Sequence, residues 1–575
     1  MDKLNTIRTA AALRSPRRGS GARMLSPRAV EGQTRTCPER GRRDEKRGKS
    51  AIALLVLVLS LFLTASAPGD PDFQIGVPLD QAIVYNGGES ANPRSYDPAT
   101  TYSAGDKLVF SGLVMLDANL NIRPDLAETW EVSGGGTIYT FKIRANAKFH
   151  DGRDVTAQDV VFSWERAASP ELASDTVLTY MGDIVGVREM VLGEANTISG
   201  LKVIDEKTLQ VTIDAPKPYF LMKLTFPTSY IVDENNVSAG EGWVYQPNGT
   251  GPYKMNEWKS GEYIVYEANP DFYLGKPSIP YVVVKIYAGD DVRLFETGEI
   301  DVAGVGLYDV DRMLDPNEPL HANLVTGVDL CTSYVVFDTT MPPFDDANVR
   351  KAFSMAFDRQ RYVDVLYRGV ALPAVGLYPP GMPGFDYGLQ GLPFDPEGAR
   401  ELLKQSKYGG PEGLPEIVYT NSGVGSYLGG NVAALAEMWE EYLGVTIKVE
   451  NLDFNFYYEQ IFSGNHGQIF DGGWCADYPD PENFADALFH SNVPQNFGGY
   501  SNPELDTLLE AARIETDVTK RIDMYQQAER IIVDDAPVLF LTHSLSYQLV
   551  QPYVKGFVFT PISISNERYM WLEGK

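Results

Sequence analysis

The stretch 472–478 (GGWCADY) gathers a glycine pair, an indole, one of the chain's three cysteines and a carboxylate within seven residues. Gly472 and Gly473 let a second backbone approach closely. Trp474 offers a flat apolar wall with one hydrogen-bond donor. Asp477 offers a negative charge to a cationic group. Together they describe one wall of a slot for an extended, amine-bearing ligand. The same residue types are also compatible with Asp477 as a turn cap and Trp474 as a core aromatic.

Reaction chemistry is not signalled elsewhere. There is no G-x-S-x-G elbow, no P-loop and no H-E-x-x-H. Gly304-Val305-Gly306 and Gly423-Val424-Gly425 lack the third spaced glycine of a dinucleotide loop. The five histidines, His150, His321, His466, His490 and His543, stand far apart, and no two show metal-ligand spacing. No catalytic residue, cofactor or metal is therefore expected. Among 77 carboxylates no pair stands out as a hydrolytic couple, so an exported hydrolase is only the competing class.

Regular elements must hold the 472–478 stretch in place, and their periods are readable. Tyr139, Phe141 and Ile143 alternate with polar residues, as do Leu209, Val211 and Ile213, the pattern of half-buried strands. Thr156 with Asp159 three residues on reads as a helix start, with Val160, Val161 and Trp164 following. Val349, Ala352, Phe353, Ala356 and Phe357 share one helix face. Asn502-Pro503 opens another helix, with Leu505, Leu508, Leu509 and Ala512 inward. Ile522, Tyr525, Ala528 and Ile532 line the next. The Pro/Gly-rich stretches 246–252, 378–386 and 408–415 read as turns or linkers.

A chain of 575 residues, 44% hydrophobic and 11% aromatic, buries a large core and makes more than one domain. Its net charge of −28 is uneven: 14 basic against 5 acidic residues up to Lys49, then 35 against 72. So acidic a body repels phosphates and excludes nucleic acid as a partner. Arg47, Gly48 and Lys49 precede an apolar run at 51–63, and Ala65-Ser66-Ala67 supplies a small-residue exit. That is the anatomy of a secretory signal, and the run is short for a spanning helix. Export to a periplasm or cell envelope is expected, behind a disordered basic leader over 1–50. No cysteine follows the run, so no lipid anchor is expected. Cys37 lies upstream of the signal. Cys331 and Cys475 remain, an even pair in an exported chain, either bridged or two buried thiols.

Five segments in order resemble the family 5 solute-binding proteins of ABC transporters, the peptide/nickel-binding family. They are 124–132 (PDLAETWEV), 139–160 from Tyr139-Thr140-Phe141 through Phe149-His150-Asp151-Gly152, 249–253 (GTGPY), 343–352 (PFDDANVRKA) and 474–478 (WCADY). The similarity runs from about residue 75 to the end. It implies an α/β, two-lobed periplasmic binding protein fold of type II, with a third domain inserted in the first lobe. It further implies a monomer without catalytic activity that closes on a small solute, foremost an oligopeptide, and delivers it to membrane permease subunits. A metal chelate, an oligosaccharide or a cationic amine are the alternative solutes.

By the same resemblance, Cys331 pairs with Cys475, Asp477 holds a ligand α-amino group, and 473–475 pairs with ligand main chain. Two positions depart from the pattern of the family's oligopeptide binders. Asp471 stands where they carry a basic residue, and Tyr367, with Arg368 beside it, stands where they carry a second. Those basic groups serve carboxyl ends, so the ligand's amine end is the better-specified one. The implied plan is a signal segment over 51–67, lobe 1 from 72–102, 221–330 and 548–575, an inserted domain over 103–220, and lobe 2 over 331–547, with the chain crossing near 330 and 547.

Overall fold

Alternating apolar residues form the strands expected of them. Ile138–Ile143 and Thr208–Thr212 lie side by side in a four-stranded antiparallel sheet, flanked by Ala127–Ser133 and Leu201–Asp205. Their inward residues, among them Phe141, Leu209 and Val211, are fully buried. The helix Ala157–Ala167 covers them, opened by a capping box between Thr156 and Asp159. Its Trp164 is fully buried and donates its ring N–H to Ser229 O at 2.8 Å. Burial of so large a side chain contributes ~3 kcal/mol, and the hydrogen bond removes the cost of hiding its polar atom.

The computed structural model describes residues 75–88, 93, 95–100, 106–368, 370–423 and 429–575. The expected leader over 1–50 and export signal over 51–67 lie outside the described residues, as do 72–74, 89–92, 94 and 101–105 of the expected first lobe and insertion. Val77–Lys575 forms one compact unit.

An eleven-stranded mixed sheet runs through that unit. Its order is Lys448–Leu452, Val418–Ser422, Ile469–Cys475, Leu324–Phe337, Val538–Val550, Val302–Gly304, Ala82–Gly87, Tyr281–Ile286, Tyr263–Ala268 and Tyr253–Lys259, with Leu372–Pro373 added off this path. Leu324–Phe337 and Val538–Val550 are much the longest, 14 and 13 residues, and join the two halves of the sheet. Helices Ala347–Met355, Arg359–Leu366, Pro396–Gln405 and Gly430–Leu443 cover one face, packing on Val335, Tyr419 and Ile469. Glu482–Phe489, Pro503–Ile514 and Val518–Asp535 cover the other, on Tyr334 and Phe540. The helix opened by Asn502 is capped by that side chain, which accepts from Glu504 N–H and Leu505 N–H. Ala356 and Phe357 fall just beyond their helix yet are fully buried, so the apolar period outlasts the helical geometry.

The glycine-rich segment 246–252 forms no helix or strand, as expected of a turn or linker, and it is also tightly packed. Gly251 N–H donates to Val109 O at 2.8 Å, and Thr250 Oγ1 accepts from Ser111 N–H at 3.0 Å. A Cβ on Gly249 would lie 1.9 Å from Val109 O, and one on Gly251 2.3 Å from Leu108 O. Backbone this close tolerates no side chain. Gly249→Ala is expected to destabilise the protein by about 3 kcal/mol or to prevent folding, as overpacking against rigid backbone does; a thermal melt within 1 °C or so of the parent would refute this account of the motif.

Candidate functional site

Cys331 and Cys475 face each other across the antiparallel ladder of Leu324–Phe337 and Ile469–Cys475, and their sulfurs are bonded. The partner ladder between Leu324–Phe337 and Val538–Val550 slips register between Val328 and Thr332. Leu330 in the slipped segment instead accepts from Ala476 N–H and donates to Pro561 O. Such a bulge turns neighbouring side chains aside, and here Asp329 and Cys331 are turned into a cavity.

That cavity has a volume of about 670 Å3 and is walled by segments remote in sequence. Lys107, Phe110 and Asp125 come from one region, Phe226 and Tyr230 from another, Cys475, Ala476 and Asp477 from a third, and residues 557–568 of the C-terminal tail from a fourth. Five carboxylates line it, Asp125, Asp291, Asp329, Asp477 and Glu567, against the two cations Lys107 and Arg568. The balance favours a ligand with positive charge.

Asp477 sits where two cores meet. Ala476 before it packs into the core beneath Glu482–Phe489, and Tyr478 after it inserts among Tyr180, Phe226 and their neighbours. Opposed anchoring on either side holds the carboxylate at the cavity wall. Oδ2 accepts from the Tyr180 hydroxyl at 2.5 Å and from Asn483 Nδ2 at 3.3 Å, and Asp477 N–H donates to Asn483 Oδ1 at 2.8 Å. Removal from water pushes its pKa up to about 6, against the pull of Tyr180, Asn483 and the Lys107 charge. Burial likewise pushes Asp329 up to about 6.

The other residues singled out in the sequence are placed variously. Gly473 and Cys475 are exposed, and Cys475 lines the cavity. Gly472 is needed for a contact within the chain: a Cβ there would lie 2.6 Å from the Tyr334 ring. Trp474 packs half-buried against the core around Phe484, donates to Asn483 Oδ1 at 3.3 Å, and is not among the cavity-lining groups. Through Asn483 it bears on Asp477.

Asp471, Tyr367 and Arg368 also lie outside the cavity lining. Asp471 accepts from the Tyr419 hydroxyl at 2.7 Å and Ser422 N–H at 3.2 Å, and burial pushes its pKa up. Of the two carboxylates only Asp477 lines the cavity, so Asp471 does not share an ammonium held there. Tyr367 ends the helix Arg359–Leu366, with its ring 5.7 Å from that of Tyr362. Arg368 pairs with Asp311 at 2.9 Å on the surface, a contact worth at most ~1 kcal/mol.

The backbone adds a further feature. Ile469–Cys475 is paired along its whole length with Leu324–Phe337, but Val418–Ser422 on its other side meets it only at Ile469 and Phe470. Among the described residues, 472–475 therefore present an unpaired strand edge that runs into the cavity at Cys475. Such an edge binds extended chain through main-chain hydrogen bonds. Asp329, Lys107 and Arg568 carried no local sequence signal, and Asp125 none beyond its place in the 124–132 segment, since folding alone brings them to one cavity. Among the described residues, no three His, Cys, Asp or Glu side chains are grouped to hold a metal ion.

Residues 121–496 match the family described as bacterial extracellular solute-binding proteins, family 5 Middle. The chain is 27% identical over 544 residues to di/tripeptide-binding protein 2 of Pseudomonas aeruginosa, covering 90% of this chain and 98% of that one. It is 29% identical over 529 residues to the periplasmic oligopeptide-binding protein OppA of Salmonella typhimurium, covering 87% and 94%. The structure resembles the murein tripeptide binding protein MppA of Escherichia coli with a TM-score of 0.76 at 26% identity, covering 85% and 98% of the two chains.

Proposed function

The chain belongs to the bacterial extracellular solute-binding proteins of family 5, binding proteins rather than enzymes, and shares their two-lobed α/β fold; from that premise we propose that it captures peptides for an ABC importer. The ligand's amino end sits on Asp477, its first residues add a strand to the edge at 473–475, and its remainder fills the cavity. One observation carries this reading: an unpaired strand edge leads into the cavity whose wall holds Asp477. Main-chain pairing recognises any peptide sequence, and a half-buried carboxylate recognises the free amino end. Relatives named for di-, tri- and oligopeptides support the ligand class.

The partner is a membrane permease, reached by an exported monomer without a lipid anchor. Among the described residues no helix is long and apolar enough to cross a membrane. Lobe 1 comprises 72–102, 221–330 and 548–575, the inserted domain 103–220 and lobe 2 331–547. Bending of the two long strands Leu324–Phe337 and Val538–Val550 closes the lobes on the ligand.

Native mass spectrometry of the purified protein, followed by calorimetry with free and N-acetylated peptides, tests the reading. Free peptides should bind and acetylated ones bind at least tenfold more weakly; a retained ligand of another class, with no peptide bound, sinks it. The pH dependence is set by Asp477. Its carboxylate must be ionised to hold an ammonium and becomes protonated below about 6, whereas the peptide amine stays charged throughout. Affinity is therefore expected to fall about tenfold from pH 7 to pH 5. Asp329 titrates in the same range and faces the same cavity, adding to the fall. An affinity flat across this window would remove Asp477 from the role.

A further inference from the structure

We propose that Arg568, on the C-terminal tail, is the subsite for the ligand's carboxylate, so that the cavity selects short peptides with a free carboxyl end; this rests on the peptide reading above. The sequence showed acidic or aromatic residues at the two positions expected to serve that end, Asp471 and Tyr367. The fold supplies a cation from elsewhere.

Arg568 lines the cavity from the single turn Glu567–Tyr569. A guanidinium carries five N–H donors in a planar fork. Here Nη2 meets the Met115 thioether at 2.5 Å and the Tyr569 hydroxyl at 2.6 Å, and Nε is buried with no hydrogen-bond partner. A thioether is a weak acceptor. Nε of Arg521 is likewise buried without a partner, but the other sheltered arginines have strong acceptors at the rest of the fork. Arg513 meets Asp486 and Arg521 meets Asp480, both at 2.6 Å. Arg359 donates to the carbonyls of Ala374, Phe540 and Leu392 at 3.0–3.1 Å. Among the described residues, Arg568 has no carboxylate at ion-pair distance. Asp125, whose pKa burial pushes up and the Arg568 charge pulls only partly back, spends Oδ1 on the Tyr273 hydroxyl at 2.5 Å.

A buried donor without an acceptor is costly, and a charged fork without a counter-ion more so. A carboxylate supplies the planar pair of acceptors that the fork matches. The other cavity cation, Lys107, already donates to the Ser563 carbonyl. In a cavity otherwise lined by five carboxylates, Arg568 is where an anionic end can settle. Asp477 and Arg568 then read the two ends of one short zwitterion.

The test uses a tripeptide library and the same library amidated at its carboxyl ends. Both are offered to the wild-type protein, Arg568→Met and Arg568→Lys in competition by native mass spectrometry, with calorimetry on the best binder. The wild type should prefer free acids over amides roughly tenfold or more. Arg568→Met should bring the ratio near one while leaving amide affinity unchanged, and Arg568→Lys should keep part of the preference. Equal loss for acids and amides in Arg568→Met, or an unchanged ratio, overturns the proposal. Should Arg568→Met fail to fold, the wild-type ratio and Arg568→Lys decide it: no wild-type preference, or the full preference retained in Arg568→Lys, overturns it. Peptides bound without any acid preference overturn this proposal alone, whereas no bound peptide at all overturns the peptide reading and this with it.

Discussion

Asp477→Asn is expected to lower affinity for peptides with a free amino end by about 10- to 100-fold, the loss of a charge-assisted contact worth ~1.5–3 kcal/mol. N-acetylated peptides, which carry no ammonium, should lose little. The same substitution should raise the melting temperature of the unliganded protein at pH 7.5. The native carboxyl titrates near 6, above the ordinary value of an unfolded aspartate at ~3.9. Between those values the folded state binds more protons than the unfolded one, so stability from this group is greatest at low pH and declines as pH rises toward 6. At neutral pH the sheltered charge is thus a net cost that Tyr180, Asn483 and Lys107 offset only in part, and a neutral amide removes it. Asparagine keeps a carbonyl oxygen to accept from Tyr180. Calorimetry and a melt on one preparation check both halves. Equal loss for free and acetylated peptides would return Asp477 to a turn-capping role. A lower melting temperature would mean that the ionised form holds the site together.

Replacing both Cys331 and Cys475 by serine should cost roughly 2–5 kcal/mol. The bridge closes a separation of 144 residues, for which the chain-entropy relation gives ~5 kcal/mol as the upper figure. That span includes the helices packed on Val335 and Ile469, so freeing its ends enlarges the unfolded ensemble of most of one half of the sheet. The bridge also ties the cavity-lining Cys475 to the slipped segment beside Asp329. Reduction should therefore weaken peptide affinity as well as stability, through the placement of Asp477 two residues on. Urea titration of oxidised, reduced and double-serine protein measures the first effect, and calorimetry under reductant the second. Coincident urea midpoints for all three forms would show that sheet packing alone holds this ladder.

Much of the architecture was legible because it follows from local periods. The capping box at Thr156, the cap at Asn502 and the alternation through Tyr139 and Leu209 are set by residues within one turn or one strand of each other, and each element formed as read. The segment 246–252 forms no helix or strand, as a turn or linker would not, but its tight packing is invisible locally because the constraint is non-local: Gly249 must be glycine on account of Val109, some 140 residues earlier. Trp474 and Gly472 show the same limit. Their types suit a ligand wall, but Tyr334 and Phe484 decide which face of the strand they occupy.

For the 472–478 stretch, composition and order were enough to mark a carboxylate beside a cysteine and an extended backbone, because those properties belong to the residues themselves. Folding decided the rest. Tyr180 and Asn483 hold Asp477 in a partly dry wall, and burial, which no local stretch can report, raises its pKa. Of the two cations facing the same cavity, Arg568 lies 91 positions further along, in the C-terminal tail. Charge at a site is a sum over space, and the tertiary fold decides which charges are near.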